Sequence, residues 1–64
     1  MLVKDFVAVS YFDYVNIVLD GELVETYNKN QEGYLEYENY RIIAVFPIKN
    51  GGWLTGIEVE IEEA

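Results

Sequence analysis

Two glycine-containing turns, each between runs of β-branched residues, most constrain the fold of this chain. In the segment VNIVLDGELVETY, the Asp20-Gly21 pair tolerates the positive φ angles of a type I′ turn. It predicts a hairpin of Tyr14 to Leu19 with Glu22 to Tyr27. Pairing Leu19 with Glu22 predicts an inward face of Val15, Ile17, Leu19 and Val24, and an outward face of Tyr14, Asn16, Val18, Leu23, Glu25 and Tyr27.

The segment YRIIAVFPIKNGGWLTGIEVEIEE predicts a second hairpin with Asn50-Gly51 at its tip. In its last strand, isoleucine and valine alternate with glutamate, which is typical of a strand with one buried and one solvated side. Pairing Ile48 with Trp53 predicts an inward row of Tyr40, Ile42, Ala44, Phe46 and Ile48 opposite Ile61, Val59, Ile57, Thr55 and Trp53. That register would place Arg41 opposite Glu60 as an exposed ion pair. Pro47 cannot donate a backbone hydrogen bond, so it indicates an edge strand or a bulge near the tip.

The N-terminal segment LVKDFVAVSYF fits either a helical stripe or an alternating strand. We favour a short helix over residues 3–10, because an antiparallel sheet needs an element to cover its apolar face. The predicted fold class is therefore α+β, a short N-terminal helix packed on a four-stranded antiparallel sheet of two β-hairpins. The alternative makes this segment a fifth strand, which would close an all-β, SH3-like or OB-like small barrel.

Length and composition indicate one compact unit. A chain of 64 residues has room for a single domain, residues 1–64, and an apolar content of 52% suffices for a packed core. The chain contains no cysteine, so no disulfide framework can supplement that core. The N-terminal segment has no continuous apolar run of signal-peptide or membrane-spanning length. We expect a cytoplasmic protein.

The net charge argues against binding to nucleic acids or membranes, and the missing residue types argue against catalysis. The formal net charge is −8, which disfavours direct binding to nucleic acids or anionic membranes. Histidine and cysteine are absent, which removes the commonest catalytic bases, nucleophiles and transition-metal ligands. The spacing of the acidic residues does not match a calcium-binding EF-hand, and the glycines do not form a phosphate-binding loop. We expect a protein that is not an enzyme and has no metal or cofactor.

Two groups of residues are candidates for a partner-binding surface, one made of glutamates and the other of tyrosines with glutamates. Glu58, Glu60 and Glu62 would form a regular line of negative charge on one strand face, although such a row is also typical of a solvated strand. The segment YLEYENY lies between the hairpins and places tyrosines beside carboxylates. Tyrosine is favoured at interfaces, because it offers a large apolar face and a hydroxyl. The predicted partner-binding residues are Tyr34, Glu36, Tyr37, Glu38, Glu58, Glu60 and Glu62.

The segments VKDF, VNIVLDGELVETY and YLEYENYRIIAV, with the alternating last strand, resemble the small acidic proteins encoded by phages and prophages of Gram-positive bacteria. That group includes inhibitors of host defence, such as anti-CRISPR proteins and uracil-DNA glycosylase inhibitors, several of which imitate DNA with carboxylates. In that setting, the net charge, the tyrosine content and the small size predict a non-enzymatic inhibitor that blocks a basic, nucleic-acid-binding host defence protein in the host cytoplasm by acidic DNA mimicry. An alternative is a small self-associating accessory or scaffold protein, a homodimer formed through the outer face of the first hairpin and a free sheet edge.

Overall fold

The computed structural model describes residues 1–9, 12–28 and 36–64. These residues form one helix, α1 (Val3–Val9), and four strands, which are β1 (Tyr14–Leu19), β2 (Glu22–Asn28), β3 (Arg41–Asn50) and β4 (Trp53–Glu62). The strands make a single sheet in the order β2-β1-β4-β3. The two central strands, β1 and β4, are parallel to each other, and each pairs antiparallel with its hairpin partner at the edge.

The predicted fold class is wrong, because the described chain is mostly sheet and the sheet is mixed rather than antiparallel. Alternation of apolar and polar residues shows which side of a strand is buried, but it does not show the direction of the neighbouring strand. The parallel contact joins Ile17 to Val59 and so places the two most buried strands at the centre. The barrel alternative is also wrong, since Val3–Val9 is helical and the described sheet keeps two edges, β2 and β3.

Both hairpin tips have the backbone of a two-residue turn with positive φ angles. Asp20 has a φ of 52° and Gly21 of 82°, which confirms the first predicted turn. At the second tip the two positive φ angles belong to Gly51 and Gly52, and Asn50 pairs with Trp53. The predicted pairing of Ile48 with Trp53 is therefore wrong.

The corrected register changes which residues of β3 face the core. Phe46 pairs with Glu58 and Ala44 with Glu60, so both lie on the same face as the glutamates instead of in the inward row. Arg41 lies opposite Glu62 and not opposite Glu60. Irregularities at Ile42/Ala44 and Ile48/Lys49 shift the pairing along the strand.

A bulge in β2 moves Tyr27 into the core. Ile17 pairs with Glu25 and Val18 with Leu23, so Val24 is the extra residue of the bulge. Beyond it, Tyr27 pairs with Val15 and is only 3% exposed. The prediction that placed Tyr27 on the outward face is wrong, because it assumed a regular ladder.

The core lies between α1 and one face of the sheet, which we call the helix-side face. Its buried side chains are Val3, Val15, Ile17, Tyr27, Ile57, Val59 and Ile61. Phe6 and Val7 of α1 pack against this cluster. The helix begins at the predicted residue, while Ser10, the last residue of the predicted helix, lies outside the described residues.

The start of α1 is held by the segment that precedes β3. The amide of Val3 donates to the carbonyl of Tyr40, and the amide of Lys4 donates to the carbonyl of Glu38, both at 2.9 Å. First-turn amides have no acceptor within a helix, so these bonds satisfy groups that would otherwise need water. The amide of Ile42 donates to the carbonyl of Met1, which covers the first part of the β3 edge.

Gly56 on β4 is covered by the ring of Tyr14, which predicts a large cost for Gly56→Ala. A Cβ at position 56 would lie 2.6 Å from Cζ of Tyr14 and 2.7 Å from Cε2, so the ring would have to move. We expect a loss of about 1–3 kcal/mol in the free energy of unfolding, measured by urea denaturation. In a Tyr14→Ala background the same substitution should cost clearly less. Equal costs in both backgrounds would contradict the close packing of ring and backbone.

Candidate protein-binding surface

Three glutamates lie in line on the sheet face opposite α1, which we call the outer face. Glu58, Glu60 and Glu62 occupy alternate positions of β4, and we refer to them as the acidic row. Residues two apart on a strand lie about 6.6 Å from each other on one face. Each of the three is half-buried, because β4 is a central strand with neighbours on both sides.

Only one end of the acidic row is neutralised among the described residues. The Nε of Arg41 donates to Oε1 of Glu62 at 2.9 Å, and Nη2 of Arg41 approaches the same oxygen. The two side chains are 55% and 45% exposed, so this pair adds little to stability. Within the described part of the chain, no basic side chain forms an ion pair with Glu58 or Glu60. Their carboxylates are available to a partner's cations.

Apolar side chains flank the acidic row on both sides. Val18 of β1 pairs with Glu60, and Phe46 of β3 pairs with Glu58. Ile43 and Phe46 remain 54% and 45% exposed. A shallow pocket of about 200 Å³ opens at the end of the face, lined by Val18, Asp20, Gly21, Ile43, Glu60, Ile61 and Glu62. α1 packs on the helix-side face, and the described residues contain no second helix that could cover the outer face. The surface therefore combines unneutralised charge with exposed apolar area.

Glu36, Tyr37 and Glu38, which were also predicted as site residues, lie on the opposite side of the sheet. Tyr37 packs against the core, and its ring contacts the ring of Tyr40 edge to face with a centroid distance of 5.1 Å. Glu36 is exposed and Glu38 half-buried in the same turn. Tyr34 lies outside the described residues. The structure thus separates the described members of the predicted set into two surfaces, and which of the two surfaces binds a partner stays a prediction.

Glu36 and Glu38 lie near Glu25 around the buried Tyr27, and we call Glu25, Glu36 and Glu38 the helix-side carboxylates. Burial raises the pKa of Tyr27, the backbone amide of Tyr37 opposes this, and the three carboxylates raise the pKa further. The pKa of Tyr37 is also raised, first by desolvation and then by the charge of Glu36. The buried Tyr27 hydroxyl forms no hydrogen bond of standard geometry with any described residue.

The environment of Tyr27 predicts how Tyr27→Phe changes stability with pH. The folded pKa is raised above the ordinary value of 10.0, so the unfolded chain loses this proton first as the pH rises. Below pH 10.0, Tyr27 is protonated in both states and makes its full contribution to the free energy of unfolding. That contribution is lost as the pH rises through the folded pKa of Tyr27. Tyr27→Phe should change stability at pH 7 by less than about 1 kcal/mol, because the hydroxyl forms no hydrogen bond of standard geometry that the substitution would remove. As the pH rises above 10.0, the free energy of unfolding of Tyr27→Phe, measured by urea denaturation, should fall less steeply than that of the wild type. Parallel curves for the two proteins would contradict this environment.

Sequence reasoning misplaced Phe46, an exposed apolar residue of the outer face. Phe46 was predicted to point inward, and the error came from the choice of tip residues. The signal was present in the sequence, since Gly51-Gly52 also suits two positive φ angles, and centring the turn there brings Phe46 beside Glu58. Nothing in the sequence indicated the shift of register between Ile42 and Ala44 that leaves Ile43 unpaired in the ladder.

The described residues form no metal site and no membrane-spanning helix, and the chain has no match among known proteins. In residues 1–9, 12–28 and 36–64, no three acidic side chains converge as metal ligands. The one helix of this part of the chain is not long and apolar enough to cross a bilayer. No protein-family model, no curated protein and no solved structure matches this chain.

Proposed function

We propose that this protein is a non-enzymatic binding protein whose outer face docks on a basic surface of another protein. The observation that supports this most is the acidic row, a line of half-buried carboxylates with the exposed apolar side chains of Ile43 and Phe46 beside it on β3. Half-buried carboxylates are already partly shielded from water, so pairing with a partner's Lys or Arg costs less desolvation than it would for fully exposed groups. The adjacent Ile43 and Phe46 supply apolar contact area.

The charge of the whole chain supports the same class of partner. A net charge of −8 on 64 residues steers the protein toward basic surfaces and speeds encounter at low salt. Proteins that bind nucleic acid have such surfaces, because they neutralise phosphates with Lys and Arg. We therefore propose that the protein blocks the nucleic-acid-binding surface of a host defence protein in the cytoplasm, as the resemblance to small acidic phage proteins suggests.

Capture from a bacterial lysate tests the proposal with two variants matched in charge. One replaces the acidic row with glutamine (Glu58→Gln, Glu60→Gln and Glu62→Gln), and the other replaces the helix-side carboxylates in the same way (Glu25→Gln, Glu36→Gln and Glu38→Gln). The wild type and the helix-side variant should retain the same basic protein, and a salt gradient should release it. The acidic-row variant should not retain it. Equal capture by both variants, or capture of no basic nucleic-acid-binding protein, would overturn the proposal.

A further inference from the structure

A second surface of the molecule has the opposite character to the acidic row. Residues 39–57 contain no Asp or Glu, although the whole chain contains 12. The only charged side chains in this stretch are Arg41 and Lys49, and Arg41 is paired with Glu62. The end of the β3–β4 hairpin is therefore the one long part of the chain without negative charge.

The same hairpin holds most of the exposed apolar area of the described residues. Trp53 is 77% exposed, and Val45, Phe46 and Leu54 are 50%, 45% and 48% exposed. We call these four side chains the hairpin patch. Phe46 lies on the outer face with Glu58, while Val45 lies on the helix-side face with Val59. The patch thus extends around the edge strand, and large exposed apolar patches mark interaction sites.

We propose that the hairpin patch is a self-association surface and that its partner is a second copy of this chain. The distribution of charge supports this occupant: a basic partner is attracted to the acidic row, whereas residues 39–57 carry no carboxylate that would oppose a second negatively charged copy. Two copies repel each other wherever their carboxylates meet, and only the acid-free hairpins can approach closely. In a twofold dimer, the hairpin patch of one copy contacts the hairpin patch of the other. A largely uncharged apolar patch is complementary to a second copy of itself.

Side chains, not strand pairing, make this contact. Pro47 has no amide to donate, and the irregularities at Ile42/Ala44 and Ile48/Lys49 interrupt the β3 edge. The N-terminal residues already cover the start of the edge through the bond from Ile42 to Met1. Four side chains per copy bury less area than a standard interface, so we expect a weak dimer with a Kd of roughly 0.1–1 mM.

The single tryptophan of the chain reports on the contact directly. Sedimentation and Trp53 emission are measured on the full chain from about 10 μM to about 2 mM, a range that spans the expected Kd, in low and in high salt. The proposal predicts a monomer–dimer equilibrium and a blue shift of the emission as concentration rises. Salt should strengthen the dimer, because it screens the repulsion between two negative molecules.

Two matched leucine substitutions separate this patch from other exposed apolar residues. Leu54→Ser should abolish dimerisation, whereas Leu23→Ser, at a 60% exposed site on β2, should leave it unchanged. Replacing the acidic row with glutamine should preserve or strengthen the dimer, although the same change should abolish capture of a basic partner. A monomer at all concentrations would overturn the inference, as would a dimer that weakens with salt or that survives Leu54→Ser.

Discussion

Ile17→Ala is expected to remove about half of the stability of the folded protein. Ile17 is fully buried in β1, where it lies between Glu25 of β2 and Val59 of β4. Removing a buried isoleucine side chain costs about 2–5 kcal/mol, because transfer energy is lost and a cavity remains. A domain of this length has a total free energy of unfolding of roughly 3–10 kcal/mol, so the variant should lose about half of its stability.

The same substitution at Ile43 is the matched control. Ile43 is 54% exposed on β3, and Ile43→Ala should change the free energy of unfolding by less than about 0.5 kcal/mol. Urea denaturation of both variants and the wild type, at low micromolar concentration to exclude association, gives the comparison. Similar losses for Ile17→Ala and Ile43→Ala would contradict a core on the helix-side face.

Reversing two charges of the acidic row should cause the largest loss of partner binding. With Glu58→Lys and Glu60→Lys, two favourable contacts become like-charge contacts with the partner's basic side chains. Each reversal should cost at least about 1.4 kcal/mol, so the double variant should bind the captured partner about 100-fold more weakly. Titration calorimetry at several salt concentrations would also show a weaker salt dependence for the variant.

Glu36→Lys with Glu38→Lys is the control for that variant, because it changes the net charge by the same amount on the opposite side of the sheet. Long-range attraction falls equally in both proteins, and only the local contacts differ. The control should bind within about threefold of the wild type. A loss as large as that of the acidic-row variant would mean that net charge alone, or the helix-side surface, determines binding.

Local sequence signals predicted the elements of the fold better than their assembly. Asp20-Gly21 fixes its turn through the φ angles that this pair tolerates, and β4 is evident from its strict alternation. Sheet order depends on which hairpin edges meet, and the parallel contact of β1 with β4 joins residues far apart in sequence without a turn to mark it. The burial of Tyr27 depends on the bulge at Val24, which no local pattern indicated.

The candidate site was predictable to a similar extent. Alternation alone placed Glu58, Glu60 and Glu62 on a common face, and the structure has them there. It could not show that Glu36 and Glu38 lie on the other side of the sheet, because their position depends on bonds between α1 and the segment before β3. Arg41 was predicted to face Glu60 and instead pairs with Glu62, since the true tip is one residue further along the chain.

A map of amide chemical-shift changes on binding tests the outer face most directly. The protein is labelled with ¹⁵N, and the unlabelled basic protein captured from lysate is added. We expect the largest changes at the acidic row and its neighbours on the same face, Asn16, Val18, Ala44 and Phe46. Amides of α1 and of residues 36–40 should change little. Changes concentrated on α1 and residues 36–40, with the acidic row unaffected, would contradict the proposed binding surface.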